Sequence, residues 1–249
     1  MQITAYKTAI VNIGDDIFSI LDDSLLKLQN KSIVAITSKI ISLCEKCVIS
    51  KNTDRSKLDI IQDNADAYIA HLYSHANVVL TIKDNILIPS AGIDESNGDN
   101  VYILYPKNIQ KSAYDIWQYL KTKHRIDDLG VIITDSHTTP LRRGVTGIAI
   151  GWCGFSATYN YIGKPDLFGH PLRVTQTNHL DGLAGSAVFV MGEGAEQTPL
   201  AVITNAPRIE FQSRAPSKEE LKEITIGLDE DIYSPLLRSV DWIWNEEKN

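Results

Sequence analysis

Three apolar runs in this chain each break into small, turn-forming residues and end on a carboxylate. The first is Ile86-Leu-Ile-Pro-Ser-Ala-Gly-Ile-Asp94, the second Val131-Ile-Ile-Thr-Asp135, the third Ala187-Val-Phe-Val-Met-Gly-Glu193. Runs this rich in Val and Ile read as buried strands or helix ends. Acids just past such edges can converge on one spot, where they repel unless a cation sits between them. Hard divalent cations prefer oxygen ligands, so Asp94, Asp135 and Glu193 point to a Mg²⁺ or Mn²⁺ site.

Composition narrows the alternatives. A chain of 249 residues makes one large domain or two modest ones. A hydrophobic fraction of 43% and a charged fraction of 22% are ordinary for a soluble globular protein. The net charge of −7 argues against a nucleic-acid partner, which needs a basic surface, although local basic pairs can hold a small phosphate ligand. No apolar stretch approaches the ~20 residues of a membrane span. The N-terminus lacks a signal-peptide pattern, so no membrane association and a cytoplasmic location are expected. Cys44-Glu-Lys-Cys47 has the C-x-x-C spacing of a redox pair or half a zinc site. No second pair exists to complete a zinc site, and the plain reading is two thiols on a strand or turn after Ile40-Ile41.

The pattern along the chain alternates. Helical spacing covers Ile17 to Leu28 after Gly14-Asp15-Asp16, about Asp59 to Tyr73, Asn108 to His124, and His179 to Val190 capped by Asn178. Strand patterns cover Ile33–Thr37, Val78–Ile82, Ile86–Ile88, Tyr102–Tyr105, Val131–Ile133, Gly147–Gly151 and Leu200–Ile203. Gly147-Ile-Ala-Ile-Gly151 suits a strand passing close to another backbone. The class is therefore α/β, mixed α+β. Residues 1–204 form one domain in this reading, with a division into two interleaved subdomains left open, and 205–249 a helical extension with Trp242 and Trp244 available to dock it.

Arg142-Arg143-Gly144 follows Asp135-Ser136 closely, and guanidinium forks match phosphate and carboxylate oxygens. The loop Met191-Gly192-Glu193-Gly194-Ala195-Glu196-Gln197-Thr198 offers backbone amides to phosphates without the Gly-Lys-Ser/Thr ending of a P-loop. Each feature also has a plain reading: turn acids, a solvated arginine pair, tight-turn glycines. His71 and His75, four apart on an expected helix, face either one metal or solvent. His137 touches a phosphate, acts as a base, or does neither.

Together these residues resemble the coenzyme F420-0:L-glutamate ligase (gamma-glutamyl ligase) family. Ala91-Gly-Ile-Asp-Glu-Ser-Asn97 is similar to its A-G-I-D-x-S-N motif. Val131-Ile-Ile-Thr-Asp-Ser136 with Arg143-Gly144 resembles its I-I-S/T-D-S/T segment and downstream R-G. Gly163-Lys-Pro-Asp-Leu-Phe-Gly-His170 and Met191-Gly-Glu-Gly194 are similar to its G-K-x-D-x-F/Y-G-R and M-G-E segments. The resemblance runs from the N-terminus to about Ile203. It implies a homodimer with the site near the subunit interface, and a GTP-dependent ligase (ATP stays open) that forms a γ-glutamyl amide with L-glutamate and Mg²⁺ or Mn²⁺. It implies Asp94, Asp135, Ser136 and Glu193 as metal ligands. It also implies nucleotide contacts from Asn97 and the loop Met191 to Thr198, with Ser38, Lys39 and Thr8 to Val11 near the phosphates. Arg142 or Arg143 would meet phosphate.

The chain departs from that pattern in places. The family's S-K-A-E-G is Ser42-Leu43-Cys44-Glu45-Lys46 here, so a nucleotide-contacting lysine is Leu43. The acid pair of its A-D-E helix is Asp181-Gly182, and the loop after Gly194 differs. Two functional readings follow: a metal- and nucleotide-dependent carboxylate–amine ligase, or a diverged relative that binds metal or nucleotide without ligation.

Overall fold

The structure, a computed structural model, describes residues 1–70 and 78–245. In chain order these form β1 (Gln2–Tyr6), α1 (Ile17–Ser24), β2 (Ser32–Thr37), α2 (Ser38–Cys44), β3 (Val48–Ser50), α3 (Lys57–Asn64) and β4 (Ala67–Ile69). Next come β5 (Leu80–Lys83), β6 (Ile86–Pro89), β7 (Val101–Ile103), α4 (Ile109–His124), β8 (Leu129–Thr138), β9 (Val145–Cys153) and β10 (Thr158–Asn160). The chain closes with β11 (Gln176–Asn178), α5 (His179–Met191), β12 (Leu200–Thr204), α6 (Lys218–Glu223), α7 (Ser234–Leu237) and β13 (Trp242–Trp244).

The main sheet has the order β1-β12-β2-β8-β9, with β2 and β8 parallel and the other pairs antiparallel. Ile33, Val34, Ala35 and Ile36 of β2 are all fully buried, as expected for a central strand covered on both faces. Val34, Ile36, Val131 and Ile133 face α4, α1 and α2, whereas Ile33, Ala35 and Ile132 face α5. Each such Ile or Val contributes about 1.5–3 kcal/mol of burial. α4 presents Ala113, Ile116, Trp117 and Leu120 to the sheet, and the Trp117 indole donates to the Leu129 carbonyl at 2.7 Å. The close approach expected at Gly147 is present: a Cβ there would lie 2.6 Å from the Ala184 carbonyl and from Val188 of α5.

A smaller body holds the sheet β13-β4-β5-β6, the pair β3–β7 and α3 around Ile60, Ile61, Ala65, Val79, Ala91 and Ile93. The helix expected from Asp59 to Tyr73 is corrected here. α3 starts at a capping box on Ser56 and stops at Asn64; Ala67 and Ile69 then alternate inward as β4, paired with β5 and β13. Tertiary ladder pairing overrides the local helical pattern. His71 and His75 lie outside the described residues. α1 likewise ends at Ser24, yet Leu25 and Leu28 are still buried. The C-terminal segment carries the short helices α6 and α7 and then β13, the last strand among the described residues, which puts Trp242 and Trp244 opposite Ile69 and Ala67. Among the described residues no helix is long and apolar enough to cross a membrane.

Candidate functional site

Asp94 owes its position to a strained turn. After β6, Ser90, Ala91 and Gly92 take φ of +53°, +53° and +70°, a left-handed run that costs non-glycine residues roughly 1–2 kcal/mol each. The buried Thr81 hydroxyl holds the turn, accepting from the Ala91 amide at 2.8 Å and donating to the Ile88 carbonyl. The chain then pairs back on β7, with the Asp94 amide donating to the Ile103 carbonyl at 3.0 Å. Lys39, in the first turn of α2, reaches the Asp94 carboxylate at 2.6 Å and donates to Ser96 Oγ at 2.9 Å. The Ser96 amide and hydroxyl donate to Asp94 Oδ1 at 2.6 and 2.8 Å. Burial opposes ionisation of Asp94, but Lys39 and Ser96 outweigh it and hold its carboxyl below the usual range.

Asp135 lies on β8 and accepts a hydrogen bond from the Tyr105 hydroxyl at 2.5 Å. Burial pushes its carboxyl up to about 6; Tyr105 and the Ser136 amide oppose this, and the negative Asp94 nearby adds to it. The Tyr105 hydroxyl is itself raised well above its ordinary value, by burial and then by Asp135. Gly92 makes room for the Tyr105 ring: a Cβ at 92 would lie 2.3 Å from it.

Ser136 donates to Glu193 Oε1 at 2.6 Å, just beyond the end of α5. Successive strand residues point to opposite faces. Asp135 accordingly meets Tyr105, and Ser136, the next residue, points the other way to Glu193. Among the described residues no three His, Cys, Asp or Glu side chains gather as a metal-holding group. The site expected from Asp94, Asp135 and Glu193 together is thus not closed within one chain. In its place Lys39 neutralises Asp94, and Glu193 pairs with a hydroxyl. The donor chemistry still fits a hard cation: Asp94 and Asp135 are neighbouring oxygen donors, and the charge of one raises the pKa of the other.

The loop after α5 folds on itself. The Gly194 amide donates to Glu196 Oε2 at 2.7 Å, and Thr198 Oγ1 donates to the Met191 carbonyl at 2.5 Å. A Cβ at Gly192 would lie 2.6 Å from the Glu196 carboxyl carbon, so the carboxylate of Glu196 sits where the loop backbone opens. Asn97, with φ +54°, donates through Nδ2 to the Gly194 carbonyl at 3.3 Å. The Thr8 amide donates to the Gln197 carbonyl at 3.0 Å. The structure thus joins three segments for which the resemblance implies nucleotide contact: the stretch after β1, Asn97 and the loop containing Ala195. Ser38 is buried at the start of α2.

Arg142 and Arg143 do not join the acids. The β8–β9 ladder continues past Asp135 through Ser136–Gly147, His137–Thr146 and Thr138–Val145, which carries both arginines to an exposed hairpin turn. Neither side chain has an ion-pair partner among the described residues. Leu43 is buried with Val101, Ile103 and Val11, a packing position in this chain. Cys44 ends α2 and Cys47 precedes β3; both are free thiols. Burial, followed by the charges of Asp15, Asp16 and Glu45, pushes Cys44 up to about 12, and burial raises Cys47 also. Thiols so raised are poor nucleophiles. Tyr105 and Thr81 support the site without any motif that marks them, whereas Ser96 and Glu196 sit inside the Ala91–Asn97 motif and the Met191–Thr198 loop with their partners, Asp94 and the Gly194 amide, unforeseen. Only the small-residue run Ser90-Ala-Gly92 signals that something must pack over it.

The sequence model of the F420-0:gamma-glutamyl ligase family matches residues 5–205. The chain is 35% identical to the coenzyme F420:L-glutamate ligase of Methanosarcina barkeri, over 78% of this chain and 81% of that protein. It is 34% identical to that of Methanocaldococcus jannaschii, over 77% and 76%. It is 32% identical to that of Methanococcus maripaludis strain S2, over 74% and 79%.

Proposed function

The chain belongs to the F420-0:gamma-glutamyl ligase family, and we propose that it is a nucleotide-driven carboxylate–amine ligase adding L-glutamate to an F420-0-type acceptor. The observation that carries the reading is the Lys39–Asp94–Asp135–Tyr105 cluster, set beside the Asn97–Gly194 link to the loop.

In this reading an acceptor carboxylate oxygen attacks the γ-phosphorus of GTP, or of ATP, and GDP or ADP leaves. The glutamate ammonium loses its proton to a base. Its amine then attacks the acyl carbon of the acyl phosphate so formed, and inorganic phosphate departs with the bonding pair and the proton the new amide nitrogen gives up. Phosphoryl transfer needs alignment and charge neutralisation more than an enzymic nucleophile. Asp94 and Asp135, with Ser136 and Glu193, would hold Mg²⁺ or Mn²⁺. The ion supplies neutralisation of phosphate charge. Lys39 fixes Asp94, Tyr105 fixes Asp135, and Asn97 ties the nucleotide loop to the Asp94 turn.

A homodimer fits exposed apolar side chains that one chain leaves uncovered. Leu167, Phe168 and Val174, between β10 and β11, are 85–99% exposed, and Phe189 on α5 is 89% exposed. Apolar side chains this exposed are what a subunit interface would cover.

The second reading, nucleotide or metal binding without ligation, draws on two observations. Leu43 is buried where the family pattern has a lysine, and Glu196 already takes the Gly194 amide. Product analysis separates them. Incubation with F420-0, L-glutamate, GTP and Mn²⁺ yields a glutamylated product and equimolar phosphate under the first reading. Calorimetric binding of GTP with no product supports the second.

A further inference from the structure

A cavity of about 1470 Å³ opens between the main sheet and the smaller body. Its inner end touches the reaction cluster: Tyr105, whose hydroxyl binds Asp135, and His137, two residues beyond Asp135, both line it. Its middle is apolar and aromatic, with Ile150, Trp152 and Leu180. Sites for drug-sized molecules span about 300–1,000 Å³, so this space far exceeds what a glutamate fills.

The far wall comes from Leu221, Ile224, Tyr233, Leu236 and Leu237, all in the C-terminal segment. That segment lies beyond residue 205, where the family match ends. It runs as a strap from one body to the other. On the main-sheet side Phe155 bridges Phe211, and the Gln212 amide donates to the Gly154 carbonyl at 2.8 Å. On the other side Asn85 Nδ2 donates to the Ile226 carbonyl at 3.1 Å, and β13 pairs with β4. Three lysines and three aspartates carry its charge; Asp181 accepts from the Ala149 amide and Asn178, and Asp231 from the Tyr233 amide. Lys83 is near Asp66 and Asp84, whereas Lys46 and Lys107 line the cavity without an ion-pair partner among the described residues.

We propose that this cavity is the acceptor site, and that the C-terminal strap selects the acceptor: a molecule with an extended, flat apolar body and anionic groups. The proposal rests on the ligase reading for its reaction. The apolar body lies against Trp152, Tyr233 and Leu236; the anionic groups meet Lys46 and Lys107; the carboxylate to be extended reaches Tyr105 and His137. Tyr233 and Leu236 are 63% and 69% exposed, so these side chains add contact area to a ligand and little to the folded chain alone.

The test uses the full-length protein with F420-0 as probe, its binding followed by its own fluorescence. GTP binding is followed by calorimetry, and melting of each variant is recorded. Tyr233→Ala and Leu236→Asp each weaken F420-0 binding by at least about tenfold, with GTP affinity and melting temperature unchanged. Ile232→Ser, at an 87% exposed neighbour outside the cavity, changes neither affinity. F420-0 affinities within about twofold of the unaltered protein for both variants overturn the assignment, as does an unaltered protein that fails to bind F420-0. Strap-dependent F420-0 binding without amide formation sustains the pocket and sinks the ligase reading. Amide formation indifferent to the strap variants does the reverse.

Discussion

The Tyr105 hydroxyl donates to Asp135 Oδ2 at 2.5 Å, and the ring carrying it lies where a Cβ on Gly92 would stand, 2.3 Å away. Three segments interlock there: the left-handed turn before Asp94, the second residue after β7, and the outer part of β8. Gly92→Ala must both hold φ +70° and displace the ring. Urea denaturation is expected to show a loss of about 2–4 kcal/mol. Tyr105→Phe keeps the packing and removes one hydrogen bond, at about 0.5–1.5 kcal/mol. Its ligase rate falls at least about tenfold, because Asp135 loses the donor that aims it.

Asp135 makes the fold weaker as it ionises. Its folded pKa is about 6 against an ordinary 3.8. Between those values the folded chain binds more protons than the unfolded one, so stability from this group declines as pH rises from 3.8 to about 6. Asp135→Asn, measured without divalent cations, is therefore more stable than the unaltered chain at pH 8, by about 1–3 kcal/mol. The gain disappears near pH 4, and the variant is inactive at every pH. Equal melting of the two proteins at pH 8 contradicts the burial-driven shift.

Lys39 makes two contacts from one ammonium, to Asp94 and to Ser96. Lys39→Met leaves two neighbouring carboxylates without their compensating charge. The expected fall in kcat/KM is at least about 100-fold, equivalent to ~2.7 kcal/mol. Lys39→Arg does not restore it, since a planar fork cannot reproduce a point contact inside that turn. Steady-state kinetics on both variants, beside circular dichroism to confirm folding, decides the matter.

The strap has its own pH signature. Arg214 holds the Glu220 carboxyl down to about 2, against mild opposition from burial and with help from the Ser217 amide and Gln212. A depressed acid stabilises the fold above its unfolded pKa and loses that contribution as pH falls from about 4.5 toward 2. The Arg214 side chain is half exposed, so screening limits Glu220→Gln to about 1 kcal/mol at pH 7. The difference from the unaltered protein narrows below pH 4 in thermal melts.

Much of the fold was legible because its elements are strongly periodic. α4 runs from Ile109 to His124 as its apolar spacing and Asn108 cap dictate, and α5 begins at the residue after Asn178. β4 was missed because Ala67 and Ile69 take their state from β5 and β13, which lie elsewhere in sequence. Of the candidate site, sequence placed Asp94 beside Asp135 and Asn97 beside the loop. It set Arg142 and Arg143 close to the acids, because nothing local shows that β8 and β9 continue their ladder beyond Asp135 and carry both to an exposed turn. It assigned Ser136 and Glu193 to the same point as Asp135; in the structure Ser136 donates to Glu193 while Asp135 accepts from Tyr105, pairings that no local pattern announces. The C-terminal segment read as helical, yet its consequence lies in where it crosses: over the cavity, ending as a strand.

The most direct test is mass spectrometry of F420-0 incubated with the purified full-length protein, L-glutamate, GTP and Mn²⁺. One added glutamyl residue per phosphate released is predicted, with no product from Asp94→Asn or Asp135→Asn. Glutamylated product from those variants at the unaltered rate, or nucleotide bound by the unaltered protein with F420-0 never modified, would contradict the account.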